Sequence, residues 1–263
     1  MKKYLWLLKY EAKTIIREPV NVYMALSPLL VLFLSVFVMP MAFNSIDPAN
    51  HTVLKTTMLF MIILLLAVGS SLLAAMATFL LLEHKDENTL KTIAVTPTGA
   101  SGYLRFKLTY VYVMSFLGII MVLLGTKLIA GDKYSINGVS MFDSVNVYHI
   151  IAFAAVDSIF APFLALLQSA FAKNKVEGFA YIKGSGIVVL IPALMLLKTF
   201  QGSLQYALGV FPNFWAIKAM MLRFMPADSG ANLSFPVYLI IGLAYNILLL
   251  IVSYRLFLKK AQY

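Results

Sequence analysis

Cysteine is absent from this 263-residue chain, and charge is scarce: Asp, Glu, Lys and Arg together make up 12% of it. The first absence excludes disulfides and thiolate metal sites, yet leaves the compartment open, because a membrane protein needs no covalent staples. None of the 14 glycines stands in a G-x-x-x-x-G-K-[ST] loop, which excludes ATP binding through a P-loop of the chain's own. No H-E-x-x-H occurs. The three histidines, His51, His84 and His149, are scattered over separate polar connections, which argues against a zinc site and against a Ser/His/Asp catalytic set. Internal repeats, low-complexity tracts and linkers are missing as well, so residues 1–263 read as a single domain.

What remains is apolar. Hydrophobic residues make up 61% of the chain and the mean hydropathy is +0.87, more greasy surface than one water-soluble domain can hide. A hydrocarbon layer of about 30 Å needs about 20 apolar helical residues. Six stretches meet that requirement, at about 20–42, 54–82, 104–129, 147–172, 181–200 and 236–258. Lipid offers no partner to a backbone N–H or C=O, so the spans are helices and the expected fold is an all-α polytopic membrane protein. The opening residues are not expected to form a signal sequence, since Lys9, Glu11 and Lys13 interrupt its apolar region.

Orientation follows from Lys and Arg. One set of connections holds Lys2, Lys3, Lys9, Lys13, Arg17, Lys85, Lys91, Arg105, Lys107, Lys173, Lys175, Lys183, Arg255, Lys259 and Lys260. The other holds Lys55, Lys127, Lys133, Lys198, Lys218 and Arg223. The positive-inside bias places both termini in the cytoplasm of a plasma (inner) membrane. The formal charge of +10 therefore needs no nucleic acid to explain it.

Four segments carry further expectations. At 100° per residue, Leu5, Leu8, Ala12, Ile15 and Ile16 share one sector of residues 2–18 and Lys2, Lys9, Lys13 and Arg17 another. That pattern fits a helix lying in the membrane interface, or equally the snorkelling flank of the first span. Ser70, Ala74 and Thr78 recur every four residues in the second span, a seam for close helix packing, either internal or between subunits. Asp157 is the one acidic residue inside a span; it either faces a bundle interior, a partner or water, or has a local partner near the helix end. Pro162 is expected to kink the same helix. Between spans five and six, Pro212 to Phe224 reads as a short interfacial or re-entrant helix, with Phe211, Phe214 and Trp215 suited to the membrane-water boundary, where an ordinary aromatic belt would use them too.

The polar connection between spans two and three, about 83–103, contains "EHKDENTLKTIAVTP". Asn88 or Thr89 can cap a short helix, Leu90, Ile93 and Ala94 give it one apolar side, and Pro97 ends it. Such a helix could dock on a protein or lie on the membrane. The stretch resembles the cytoplasmic loop of type-2 ABC-exporter permeases, where an acidic residue precedes Gly-Thr-Leu, a short apolar stretch, Thr-Pro and a Lys opening the next span. Glu87, Thr89, Leu90, Val95, Thr96, Pro97 and Lys107 stand at the matching places, and Asn88 replaces the usual Gly. Asn is the residue that best tolerates the left-handed backbone a Gly would adopt there. "FPNFW" and "AKNKVEGF" are also similar to family features, and the resemblance covers the layout of the whole chain, elbow helix and outer helices included.

The resemblance implies a half-transporter that performs no covalent chemistry. Glu87, Asn88, Thr89, Leu90, Ile93, Thr96 and Pro97 would couple it to a separate ATPase subunit, present in two copies, and a second permease chain, identical or related, would complete the pathway. ATP and Mg would sit on the ATPase, with no cofactor on this chain. "YEAKTIIREPVNVYMALSPLL" is closer to drug, antimicrobial-peptide and ion-extrusion permeases than to polysaccharide exporters. The nearly uncharged spans favour an amphipathic or apolar cargo, with Asp157 and Gln168 as polar pathway candidates if a cation such as sodium moves instead. An intramembrane enzyme and a toxin-sequestering immunity protein are the alternatives from other classes.

Overall fold

A computed structural model of the chain describes residues 9, 12–47, 50–86 and 99–260. Residues 12–17 are helical and bend at Glu18. Helices α1 (Pro19–Ala25) and α2 (Ser27–Phe33), a π turn (Leu34–Val38) and α3 (Met39–Asn44) follow. Next come α4 (His51–Asp86), α5 (Gly99–Ala130), α6 (Val147–Asp157), α7 (Phe160–Phe171) and α8 (Lys175–Leu190). Three 3₁₀ segments (Ile191–Leu196, Lys198–Phe200, Ser203–Val210) lead to α9 (Phe214–Phe224) and α10 (Phe235–Lys260). A two-stranded hairpin, β1 (Ser135–Ile136) and β2 (Val139–Ser140), caps one end of the bundle. Its turn is Asn137-Gly138 with φ of 53° and 80°, the left-handed pair that matches strand twist.

Six helical units are long and apolar enough to cross a membrane: Ser27–Asn44, His51–Glu83, Ser101–Lys133, Val147–Phe171, Lys175–Leu196 and Phe235–Lys260. The protein is an all-α polytopic membrane protein. Burial orders the spans around Val147–Phe171, 78% buried, whereas Lys175–Leu196 is 17% buried and lies on the outside of the bundle. Association of apolar helices in lipid gains nothing from the hydrophobic effect, so close packing and hydrogen bonds must hold them. The Ser70, Ala74 and Thr78 seam supplies both. All three are buried, and Thr78 Oγ1 donates to Gln168 Oε1 on α7 at 2.5 Å, so the seam is internal to the chain.

The fourth span breaks at Ser158–Ile159, four and three residues before Pro162. Proline has no N–H to give the carbonyl of Ser158 and its ring crowds that carbonyl, which is why the break falls there. The fifth span begins at Lys175, where the apolar run alone places it at 181. Capping decides: Asn174 Oδ1 accepts from the Glu177 N–H at 2.9 Å, and Glu177 Oε2 accepts from the Lys173 N–H at 2.8 Å. Pro192 then ends the α-helix and the chain tightens to 3₁₀.

The first span lies against α5. A Cβ on Gly118 would stand 2.9 Å from Pro28 Cγ, so only glycine permits this approach to a rigid ring. One helical layer on, Ser35 Oγ and Thr126 Oγ1 are 2.6 Å apart, and the Tyr134 hydroxyl donates to the Ser35 carbonyl at 2.6 Å. That carbonyl lies in the π turn, where the regular ladder is interrupted and leaves an acceptor to be satisfied from outside.

Helix α9 does not lie on the surface. Phe214, Ala216, Ile217, Lys218, Ala219, Met220, Met221 and Phe224 are buried, and the helix packs between α6 and α10. Lys218, outside the six spans, is fully buried and donates to the Ser229 carbonyl, and burial pushes its ammonium down to about 8. Between about pH 8 and 10.5 the unfolded chain therefore holds the proton more tightly than the folded one, and stability rises with pH through that window. A thermal-shift series is expected to show this rise, up to about 3 kcal/mol, and to lose it in Lys218→Met.

Candidate functional site

Helix α4 has 36 residues and α5 has 32, which at 1.5 Å per residue is about 54 Å and 48 Å. A hydrocarbon core is about 30 Å thick, so both helices overrun it. Their ends flank residues 87–98, which hold Glu87, Asn88, Thr89, Leu90, Ile93, Thr96 and Pro97 and lie outside the described residues. What the structure describes is the mount on either side of that loop.

Two lysines brace the mount. Lys85, at the loop end of α4, reaches across to α7 and donates to the Ala172 and Ser169 carbonyls at 2.7 and 3.2 Å. Those are among the last acceptors of a helix that ends at Phe171, where a cation also meets the negative end of the helix dipole. Lys107, only 1% exposed, reaches from α5 to the Leu80 carbonyl of α4 at 2.9 Å and to the Tyr103 hydroxyl at 3.1 Å. A buried ammonium is tolerated only with such partners, so Lys107 fixes the relative position of the two helices that carry the loop.

The N-terminal segment joins the same end. Ile15 is buried against Leu73, Met76 and Leu80 of α4. Glu18 Oε1 pairs with Lys175 Nζ at 2.6 Å, and its Oε2 accepts from Asn21 Nδ2 at 3.2 Å. The elbow segment, the flanks of the loop and the start of α8 are thus cross-linked around α4. Lys107 carried a family resemblance in the sequence. Lys85 and the Glu18–Lys175 pair carried no such signal, because their partners are 87 and 157 residues away.

The two polar pathway candidates are not brought together. Gln168 is 4% exposed and fully engaged: its Oε1 accepts from Thr78 and its Nε2 donates to Ser185 Oγ at 2.7 Å, tying α7 to α4 and α8. Asp157 is the last residue of α6, some three helical turns away, and is completely buried. Neither of its oxygens has a hydrogen-bond partner among the described residues; the Ser70 hydroxyl on α4 is the polar group beside it. Asp157 therefore lies in the bundle interior, with Ser70 as its polar neighbour. His149 serves its own helix, Nδ1 accepting from the Asn146 N–H at 3.0 Å, and the described residues contain no cluster of three His, Cys, Asp or Glu.

Six apolar spans packed around a buried fourth helix define a multi-pass membrane protein. The sequence profile described as "Fluoroquinolones export permease protein Rv2686c-like" matches residues 11–254, and the chain belongs to that family. Two relatives from Mycobacterium tuberculosis, the fluoroquinolones export permease protein Rv2686c of strain ATCC 25618 / H37Rv and MT2760 of strain CDC 1551 / Oshkosh, are each 28% identical over 187 residues. The aligned part is 71% of this chain and 66% of each relative.

Proposed function

We propose that the chain is the transmembrane half of an ATP-driven ABC exporter and moves an amphipathic or apolar cargo out of the cell by alternating access. The observation that carries the proposal is the bracing of the two helices that flank the loop: Lys85 ties α4 to α7, and Lys107 ties α5 to α4. A push on residues 87–98 from a soluble partner would move these helices as a unit instead of being lost in a loose loop. An even number of spans supports both termini on one side, and the Lys and Arg bias supports the cytoplasm as that side.

Two such chains, or this chain and a related one, would line the pathway between them, and two ATPase subunits would bind ATP and Mg and drive the change of access. The relatives' name supports fluoroquinolones as the cargo class, and the nearly uncharged spans suit the apolar part of such a molecule. The test is transport by membrane vesicles in which the partner ATPase carries a substitution that binds ATP but does not hydrolyse it. Transport should fall to the background of vesicles without the permease. Undiminished transport would remove the ATP-driven reading and favour a stand-alone carrier.

A further inference from the structure

The hairpin end of the bundle holds an open recess of about 420 Å³. It lies between the first turns of α4, the hairpin and the segments that join α8 to α10. Pockets of about 300–1000 Å³ are the usual size for a drug-like ligand. Leu59, Ile136 and Leu196 give it an apolar wall, and Lys55, Lys198 and Asp228 bring charge to it. A second recess of about 370 Å³ adjoins it; Lys55 and Ile136 line both, and Asp143 lines the second.

The charges are unbalanced. Lys55 pairs with Asp228, while Lys198 is exposed and makes no ion pair among the described residues. The recess therefore presents one surplus cation beside an apolar wall, with no second carboxylate among its lining residues. The wall is also held in shape. Gly230, at φ 58°, packs against Gln201, where a Cβ would stand 3.0 Å from the Gln201 Cα, and Lys218 fixes the Ser229 carbonyl from behind. Asp228 and Gln201 are thus set in place before any ligand arrives.

We propose that this recess binds amphipathic organic carboxylates: the apolar body lies along Leu59, Ile136 and Leu196, and the carboxylate meets Lys198 and the Lys55 ammonium. A charge-assisted contact made in a half-dry recess discriminates strongly against the neutral analogue. The proposal rests on the exporter reading only for its choice of probe.

The test uses the full chain in lipid nanodiscs, with no ATPase and no nucleotide, and equilibrium dialysis corrected with empty nanodiscs. The probes are a quinolone carboxylic acid and its methyl ester. The acid is expected to bind about ten-fold more tightly than the ester. Lys55→Ala with Lys198→Ala should abolish that preference and leave ester binding unchanged, and Thr56→Trp, which fills the recess, should remove both. Lys198→Ala alone breaks no ion pair and serves if the double variant fails to fold. No binding of the acid, equal binding of acid and ester, or variants that bind the acid as the wild type does would each overturn the site. Binding that survives in a chain that does not transport would count against the exporter reading alone.

Discussion

Replacing Leu90 with Asp is expected to abolish transport while the chain still inserts and folds. Leu90, Ile93 and Ala94 form the apolar side of the short helix read from the sequence of the loop. A carboxylate in the centre of an apolar docking face must be desolvated without a partner, a penalty of several kcal/mol, and about 4 kcal/mol lowers an association constant about a thousand-fold. The loop lies outside the six spans, so insertion and thermal stability should stay within about 0.5 kcal/mol of the wild type. Thr89→Pro should act similarly by altering the helix start. The measurement is ATP hydrolysis and cargo movement by the same proteoliposomes: hydrolysis should no longer respond to the permease, and transport should be lost. Normal transport by both variants would show that the loop is only a solvated connection.

Lys107→Met is expected to separate stability from coupling in another way. Methionine keeps the length and apolar stem but leaves the Leu80 carbonyl and Tyr103 hydroxyl without the ammonium. Losing a charged partner of buried polar groups destabilises by about 1–3 kcal/mol, which a thermal-shift assay resolves as a few degrees. The larger effect should be on transport per ATP hydrolysed, because α4 and α5 would no longer move as a braced pair; about a ten-fold drop is expected. Lys85→Met, which frees α4 from the end of α7, should lower the same ratio. If both variants lose stability yet keep the wild-type ratio, the lysines hold the fold together and do not transmit the stroke.

Much of this architecture could be read in the residues because lipid imposes a simple rule: each apolar run of sufficient length is a helix, and six runs are six spans. The rule loses precision where polar chemistry takes over. Span five starts at Lys175 because Asn174 and Glu177 cap it, and hydropathy is blind to a cap. Phe214 and Trp215 suit an interfacial or a re-entrant helix alike, and burial of Phe214 and Lys218 shows α9 packed within the bundle, as a surface-lying helix would not be. Gln168 is marked in the sequence only by its polarity; its bonds to Thr78 and Ser185, 90 and 17 residues away, leave no local pattern. Asp157 is singled out by its charge, and the structure buries it beside Ser70. The lysine braces were the least legible part, since a cation that caps a distant helix leaves no local pattern.

The absence of cysteine makes the central claim directly measurable, because a cysteine placed at Ile93 would be the only one in the chain. Ile93→Cys in native membranes, treated with a short thiol-reactive cross-linker and analysed by mass spectrometry, reports what touches the loop. The predicted result is an adduct with a soluble protein that carries a G-x-x-x-x-G-K-[ST] loop, in a yield that changes when ATP is trapped on it. An Ile93→Cys chain that transports normally but yields no adduct with such a protein, with and without ATP, would contradict the account.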